Sequence, residues 1–424
     1  SCVGSGQQLT QPHRLILAML CLLATALASL PELRRVAMMR VHSDVMTVLE
    51  TPECRDVSMP SRLEMMRESF APTMTRLWDR SIWRAHRSDR RWRHFMLDWP
   101  NSAILASIRG PLLSLIVMTV VLAVFNRSSR LPRLTLPLAP LSLQATSIGL
   151  MLVFRHNQAH ERYKEAQQAV GGLQSIVREL VELMLLHSGQ GAPMPALPKS
   201  PPLPPAGTAE AQAAAEEDAR IEQRISNDLS VAARLLAMFG WALKARLHSD
   251  GDMRQLQAIA AGLLPPQEVR LLALEPTPLR LLLLRLRAIA GDLRNRGEMG
   301  MDAFRFVEER ISKLSILCAT CDRLAQYPIP PSYHRHGSRA LMLWLGSLPF
   351  ALESLPGMRV AQLLVATAFT AFVTLGIDQI AIEIEQPFDV LPLHILAAQT
   401  SRQVADGVAA CAALPCALPV GFAP

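Results

Sequence analysis

Thr146-Ser147-Ile148-Gly149-Leu150-Met151-Leu152-Val153-Phe154-Arg155-His156-Asn157 is the stretch on which the fold turns. It closes an uncharged run from 134 to 154 and then meets Arg155, His156, Arg162 and Lys164. About 20 consecutive apolar residues cross the hydrocarbon core of a bilayer as a helix. Pro137, Pro140, Thr135, Ser142, Thr146 and Ser147 lie inside the run. In lipid, prolines and hydroxyls need nearby groups to satisfy the backbone, so this helix should face protein or water rather than acyl chains. Thr146, Leu150 and Phe154 follow i, i+4 spacing and share one helical face. Ordinary packing against a neighbour explains that spacing too, and periodicity alone favours it.

Working outward, 108–125 is apolar apart from Arg109 and two hydroxyls, and reads as a first span. A short loop with Pro132 joins it to the second. Upstream, residues 76–94 interleave Trp78, Trp83 and Trp92 with Arg76, Arg80, Arg84, Arg87, Arg90, Arg91 and Arg93. Beside a span, this mix reads as an interfacial basic and aromatic belt. Downstream, 340–355 is a third apolar run with Pro349 and Glu353 inside, and 360–377 a fourth, uncharged until Asp378; Pro356-Gly357 turns between them. Basic residues flank the outer ends of both pairs, which puts both termini and the middle region on one side. Arg127, Arg130 and Arg133 in the first hairpin loop run against that assignment.

These readings predict an all-α membrane protein with four transmembrane helices in two hairpins and a long helical extramembrane region. A targeting-like and irregular segment covers 1–75, with a short amphipathic helix at 61–69, and a basic aromatic segment covers 76–107. The first hairpin takes 108–154 and the second 336–378. A helical extramembrane region takes 155–335, broken near Pro265-Pro266 and Pro276 and carrying a disordered Pro-rich loop at 191–208; a C-terminal segment takes 379–424. Arg14 opens a run to 30 that looks like the apolar core of a targeting segment, with a first membrane helix as the alternative. The chain begins with Ser1, so an incomplete or processed N-terminus is expected.

Composition agrees with a membrane protein. Half of the 424 residues are hydrophobic but only 5% aromatic, so the apolar content is mostly helix-compatible aliphatics. The net charge of +7 is carried almost wholly by Arg, since Lys164, Lys199, Lys244 and Lys313 are the only lysines. With these apolar runs, such a balance favours anionic lipid or small anions over nucleic acid. Seven scattered cysteines form no disulfide framework. Cys318 and Cys321, with His334 and His336 further on, could be drawn as a zinc site, but two small cysteines in an apolar helix are more simply core. No metal or cofactor is expected. No phosphate loop, nucleophile elbow or metal quartet is present, so an enzyme is unsupported.

Phe154-Arg155-His156-Asn157 followed by Glu161-Arg162-Tyr163-Lys164-Glu165-Ala166 resembles the signature of the bestrophin family. Tyr327-Pro328-Ile329-Pro330-Pro331-Ser332-Tyr333 resembles that family's Pro-rich entry into a later span. Glu383-Ile384-Glu385-Gln386-Pro387-Phe388 with Leu391-Pro392-Leu393 resembles its ending. The three blocks come in the family's order over about 75–400, and the belt before the first span is like that of photosynthetic and bacterial members.

The resemblance implies a homopentameric anion channel with a central pore. It places Thr146, Leu150 and Phe154 at the pore neck. It assigns Arg155, Asn157, Arg162, Glu165, Pro330, Glu383, Glu385, Pro387 and Phe388 to structural signature positions. Chloride, nitrate, bromide and bicarbonate are the implied cargo, and the lipid bilayer the surroundings. An apolar neck gates by dewetting and passes weakly hydrated anions with least loss. His156, Lys164 and Gln167 depart from the family pattern, and Thr146 is polar where an apolar residue is usual. The calcium clasp of animal members needs an acidic run after Pro-Phe; here only Asp389 follows, so calcium-dependent opening is not expected. Glu383 and Glu385 are expected in helix capping or Arg pairing rather than acid–base chemistry. A non-conducting scaffold of the same fold is the main alternative. A carrier is disfavoured because Glu353 is nearly the sole charge within the spans. Likeness to the photosynthetic branch implies a chloroplast thylakoid membrane, with a plasma membrane as the alternative.

Overall fold

The computed structural model describes residues 35–51, 54, 78, 80–89, 91–97, 102–128, 132–188, 209–247, 253–275 and 277–413. In chain order the helices are α1 (35–49), α2 (Arg80–His86), α3 (Arg91–Leu97), α4 (Ala103–Asn126), α5 (Leu138–His187), α6 (Ala209–Leu247) and α7 (Met253–Leu263). They continue as α8 (Pro266–Leu274), α9 (Pro278–Asn295), α10 (Met301–Gln326), α11 (Pro331–Leu352), α12 (Val360–Glu385), α13 (Pro387–Val390) and α14 (Leu393–Ala413). The targeting-like stretch 14–30, the helix expected at 61–69 and the Pro-rich loop 191–208 lie outside the described residues.

Three of these helices are long and apolar enough to cross a membrane: α4, α5 and α12. The expectation of four spans is therefore corrected. The third apolar run belongs to α11, whose first turns carry His334, Arg335, His336 and Arg339. Its uncharged part, 340–352, falls short of the roughly 20 residues a span needs. Its end is pinned by charge, for Glu353 at the C-cap pairs with Arg127 at 3.4 Å. Arg127 Nη1 also donates to the Ala123 carbonyl at 2.9 Å, which satisfies an open carbonyl at the end of α4.

The apolar helices pack around α12. It lies against α4 most extensively and against α5 next, so the first two spans are held largely through it. Ile108, Leu115, Leu152, Leu341, Leu345, Ala371 and Leu375 form their shared core. Outward-facing Leu113, Val117, Val120, Val121 and Val124 leave an exposed apolar stripe on α4, as a lipid-facing helix requires. At the loop end, Asn126 brackets the connection: its Nδ2 donates to the Leu134 carbonyl at 3.1 Å, and its Oδ1 accepts from the Leu134 N–H at 2.8 Å.

The second half of α5 leaves the spans without a break and enters a large helical layer. At 1.5 Å per residue this 50-residue helix is about 75 Å long. Leu173, Val177, Leu180 and Met184 form its buried stripe, against α6, α10 and α14. Leu235, Leu236, Met238, Phe239 and Trp241 of α6 fill the centre of the layer. Helix breaks follow proline: Pro266 opens α8 and Pro278 opens α9, at positions where the missing N–H costs no helical bond.

One helix runs against the sequence reading. Residues 31–75 were expected to be irregular, yet 35–49 is a helix with Met38, Val41, Val45 and Val48 buried in the layer's core. Asp44 on it pairs with Arg234 at 2.7 Å, and a Cβ on Gly262 would meet Val48 at 2.8 Å.

Candidate functional site

The family-like signature of α5 has two faces. Thr146, Leu150, Phe154 and Asn157 are exposed, with Leu150 and Phe154 each 54% accessible. Leu143 and Val153 extend the same open strip. About 180° round the helix from Thr146 and 140° from Leu150 lies Arg155, one residue beyond Phe154 and only 4% exposed. Leu152 and Ala159 flank it on the buried side. The three proposed neck positions thus fall on a face that one chain leaves uncovered. Apolar side chains open to a helix surface in this number ask for lipid, a second chain or a narrow pore.

The buried face is fastened by two arginines seven positions apart. Arg155 Nη1 forms an ion pair with Asp378 of α12 and donates to Ser338 Oγ of α11 at 3.2 Å. Ser338 Oγ in turn lies 3.5 Å from Asp378 Oδ2. Two turns on, Arg162 donates to three carbonyls: Nη2 to Leu324 at 2.8 Å, Nη1 to Tyr327 at 3.0 Å and Nε to Glu385 at 3.2 Å. The planar fork of guanidinium suits such divergent acceptors, and each is a carbonyl left open where α10 or α12 ends.

Glu385 also serves the turn before α11. Its carboxylate accepts from the Ile329 N–H at 3.2 Å and lies 2.9 Å from His334 Nε2. Of the two roles expected for it, helix capping or Arg pairing, its carboxylate meets a main-chain N–H beside the start of α11 together with a histidine, and Arg162 meets only its carbonyl. Glu383 accepts from Gln379 at 3.1 Å on its own helix. Glu165 pairs with Arg323 across α5 and α10 with both side chains about half exposed, which makes it a minor contributor. Pro330 stands at the N-cap of α11, where its neighbour Pro331 opens the helix. Pro387 and Phe388 are buried, and Phe388 is fully closed off in the layer's core. Asp378 and Ser338 were not foreseen as partners of Arg155, although a lone acid closing an apolar run was the signal for Asp378.

The belt ahead of α4 places its aromatic groups at the surface. Trp78, Trp83 and Trp92 are 40%, 46% and 63% exposed. Trp78 and Trp83 meet edge-on at 4.7 Å, and Trp78 meets His86 at 5.1 Å. Arg87 lies 5.7 Å over Trp83 and Arg91 5.1 Å over Trp92, both within cation–π range.

Cys318 and Cys321 lie buried in α10, and among the described residues no group of three or more His, Cys, Asp or Glu could hold a metal. Burial, with the charge of Asp322 adding to it, pushes the Cys321 thiol up to about 12; burial likewise raises Cys318. Since thiolate is the reactive form, both should stay inert to thiol reagents at pH 8 in the folded protein and react quickly once unfolded. Titration with a chromogenic disulfide checks this; rapid native labelling of either would contradict the packing described.

Comparison with known proteins fits this architecture. The family model described as Bacterial/Fungal Bestrophin protein matches residues 82–406. The voltage-dependent anion channel-forming protein sll1024 of Synechocystis is 24% identical over 71% of this chain and 85% of its own length. YneE of Escherichia coli K12, named likewise, is 26% identical over 59% of this chain and 69% of its own length. The chloroplastic voltage-dependent chloride channel 1 of Arabidopsis thaliana is 23% identical over 83% of this chain and 77% of its own length. A crystal structure of a bacterial bestrophin homologue from Klebsiella pneumoniae aligns with a TM-score of 0.57 at 23% identity, over 71% of this chain and 98% of that one. The matched segment takes in both arginine anchors of α5 and the helices they hold, and the chain belongs to the bacterial/fungal bestrophin family.

Proposed function

We propose that this chain forms an anion-selective channel, passing chloride and similar monovalent anions along the open face of α5. The observation that carries the reading is the uncovered strip of Thr146, Leu150 and Phe154 on a helix whose opposite face is anchored by Arg155 and Arg162. Copies of the chain, five in the family-like arrangement, would bring these strips together as a narrow collar. Leu150 and Phe154 make it apolar, so that a dewetted gap gates conduction, while Thr146 leaves one end of it wetter. Names of the Synechocystis, Escherichia coli and Arabidopsis relatives as anion or chloride channels support the same cargo.

An apolar collar costs least for anions that shed water easily. Nitrate and bromide should therefore permeate at or above chloride, with bicarbonate a further candidate. Purified protein in a planar bilayer, with one anion replaced at a time, tests this. Selectivity for cations would overturn the reading; silence across all anions would favour the non-conducting scaffold, the alternative that the departures at His156, Lys164 and Gln167 leave open. For location we propose a chloroplast thylakoid membrane, as the chloroplastic Arabidopsis relatives support, with a plasma membrane as the alternative; imaging a tagged chain decides between them.

A further inference from the structure

The two arginines on the buried face of α5 form a ladder with α12. Arg155 meets Asp378, and seven residues on Arg162 meets the carbonyl of Glu385, itself seven residues beyond Asp378. Equal steps on both helices mean that α5 and α12 run in the same direction, with rungs about 10.5 Å apart. The first rung is braced sideways by Ser338 of α11 and the second by the turn between α10 and α11, through Leu324 and Tyr327. Two polar rungs on one face define both the rotation of a helix about its axis and its height. Apolar packing alone defines them poorly, since Leu and Ala ridges can slip by a turn.

We propose that the Arg155–Asp378–Ser338 cluster is the positioning device of the conduction path: it sets the rotation of α5 so that Leu150 and Phe154, and not Ile148 or Leu152, face the open side. This rests on the reading of α5 as the pore-lining helix. The cluster lies where the uncharged run ends, immediately after Phe154. A charge there keeps its place only with a partner, so loss of Asp378 leaves Arg155 seeking water. Arg155 Nε is buried with no hydrogen-bond partner among the described residues, so without Asp378 only Ser338 Oγ is left to hold the guanidinium. Turning α5 outward is the route by which Arg155 would regain water, and it would carry Leu150 off the open face.

Thiol accessibility tests the device. Leu150→Cys and Leu152→Cys are placed separately in the full-length chain and in chains also carrying Asp378→Asn, and current is followed in a planar bilayer during exposure to a charged, water-soluble methanethiosulfonate. With Asp378 intact, modification at 150 should block current and 152 should stay silent. With Asp378→Asn the rate at 150 should fall severalfold and 152 should become reactive, and Asp378→Glu should restore the first pattern. An unchanged pattern in Asp378→Asn, even with lower thermal stability, makes the cluster merely structural and overturns the proposal. Silence at 150 with Asp378 intact overturns the pore-lining reading instead. If Asp378→Asn does not assemble, Ser338→Ala removes only the sideways brace and should shift the two rates in the same directions by less; no shift there overturns the proposal equally.

Discussion

Arg162→Ala is expected to lower the unfolding free energy by about 3 kcal/mol, since hydrogen bonds from a charged donor each contribute roughly 1.5–3 kcal/mol and three are lost. The full sum is not expected. Arg162 is half-buried, and water can reach part of the vacated carbonyls. What water cannot replace is the join itself. One guanidinium holds the end of α10 at Leu324 and Tyr327 and the end of α12 at Glu385, so its removal lets the α10–α11 turn part from the span. Arg162→Lys should recover little, because an ammonium on a single stem cannot reach three divergent carbonyls. Thermal unfolding in detergent measures both. A loss below about 1 kcal/mol for Arg162→Ala would mean that packing, not this fork, holds the join.

Trp241→Ala should cost more, about 3–5 kcal/mol, the range for emptying a large aromatic from a core. Trp241 is 2% exposed at the centre of the helical layer. Its Nε1–H donates to Ser401 Oγ at 3.0 Å, and Ser401 Oγ donates onward to the Ala237 carbonyl at 2.7 Å, tying α14 to α6. Its ring meets His394 edge-on at 5.1 Å. The neighbouring Gly240 allows close approach here, for a Cβ on it would meet Ala397 Cα at 2.8 Å. The cavity left by Ala at 241 therefore sits at a crossing already at minimum separation, with little room to collapse. Trp241→Phe keeps most of the volume and loses the indole bond, at about 1 kcal/mol plus a smaller void. Equal unfolding midpoints for the two variants would contradict this division.

What could be read from sequence follows from where each signal resides. The runs at 108–125, 134–154 and 360–377 are local, and a bilayer of fixed thickness turns their length directly into spans. The run at 340–355 misled because apolar length was counted from Ala340, although the helix begins at Pro331 and spends its first turns on His334, Arg335, His336 and Arg339. The helix at 35–49 was legible in Met38, Val41, Val45 and Val48, which keep helical spacing, although Pro31, Pro52, Pro60 and Pro72 give the wider stretch the composition of a loop. Spacing put Thr146, Leu150 and Phe154 on one face; only the packing of α11 and α12 on the other side determined that the face stays open. The end of the apolar run marked Asp378, but which residues Arg155 and Glu385 pair with has no local signal. Asp378 is 223 residues from Arg155, and His334 is 51 residues from Glu385, so these pairings exist only once the topology does.

Passage of ions along the open face of α5 can be tested by one comparison. Leu150→Ala and Phe154→Ala are recorded in a planar bilayer beside Val121→Ala, which lies 62% exposed on the outward stripe of α4. If ions pass there, both α5 variants change gating or the nitrate-to-chloride permeability ratio, because each widens an apolar constriction, while Val121→Ala leaves both as in the parent chain. Currents from Leu150→Ala and Phe154→Ala indistinguishable from the parent would contradict it.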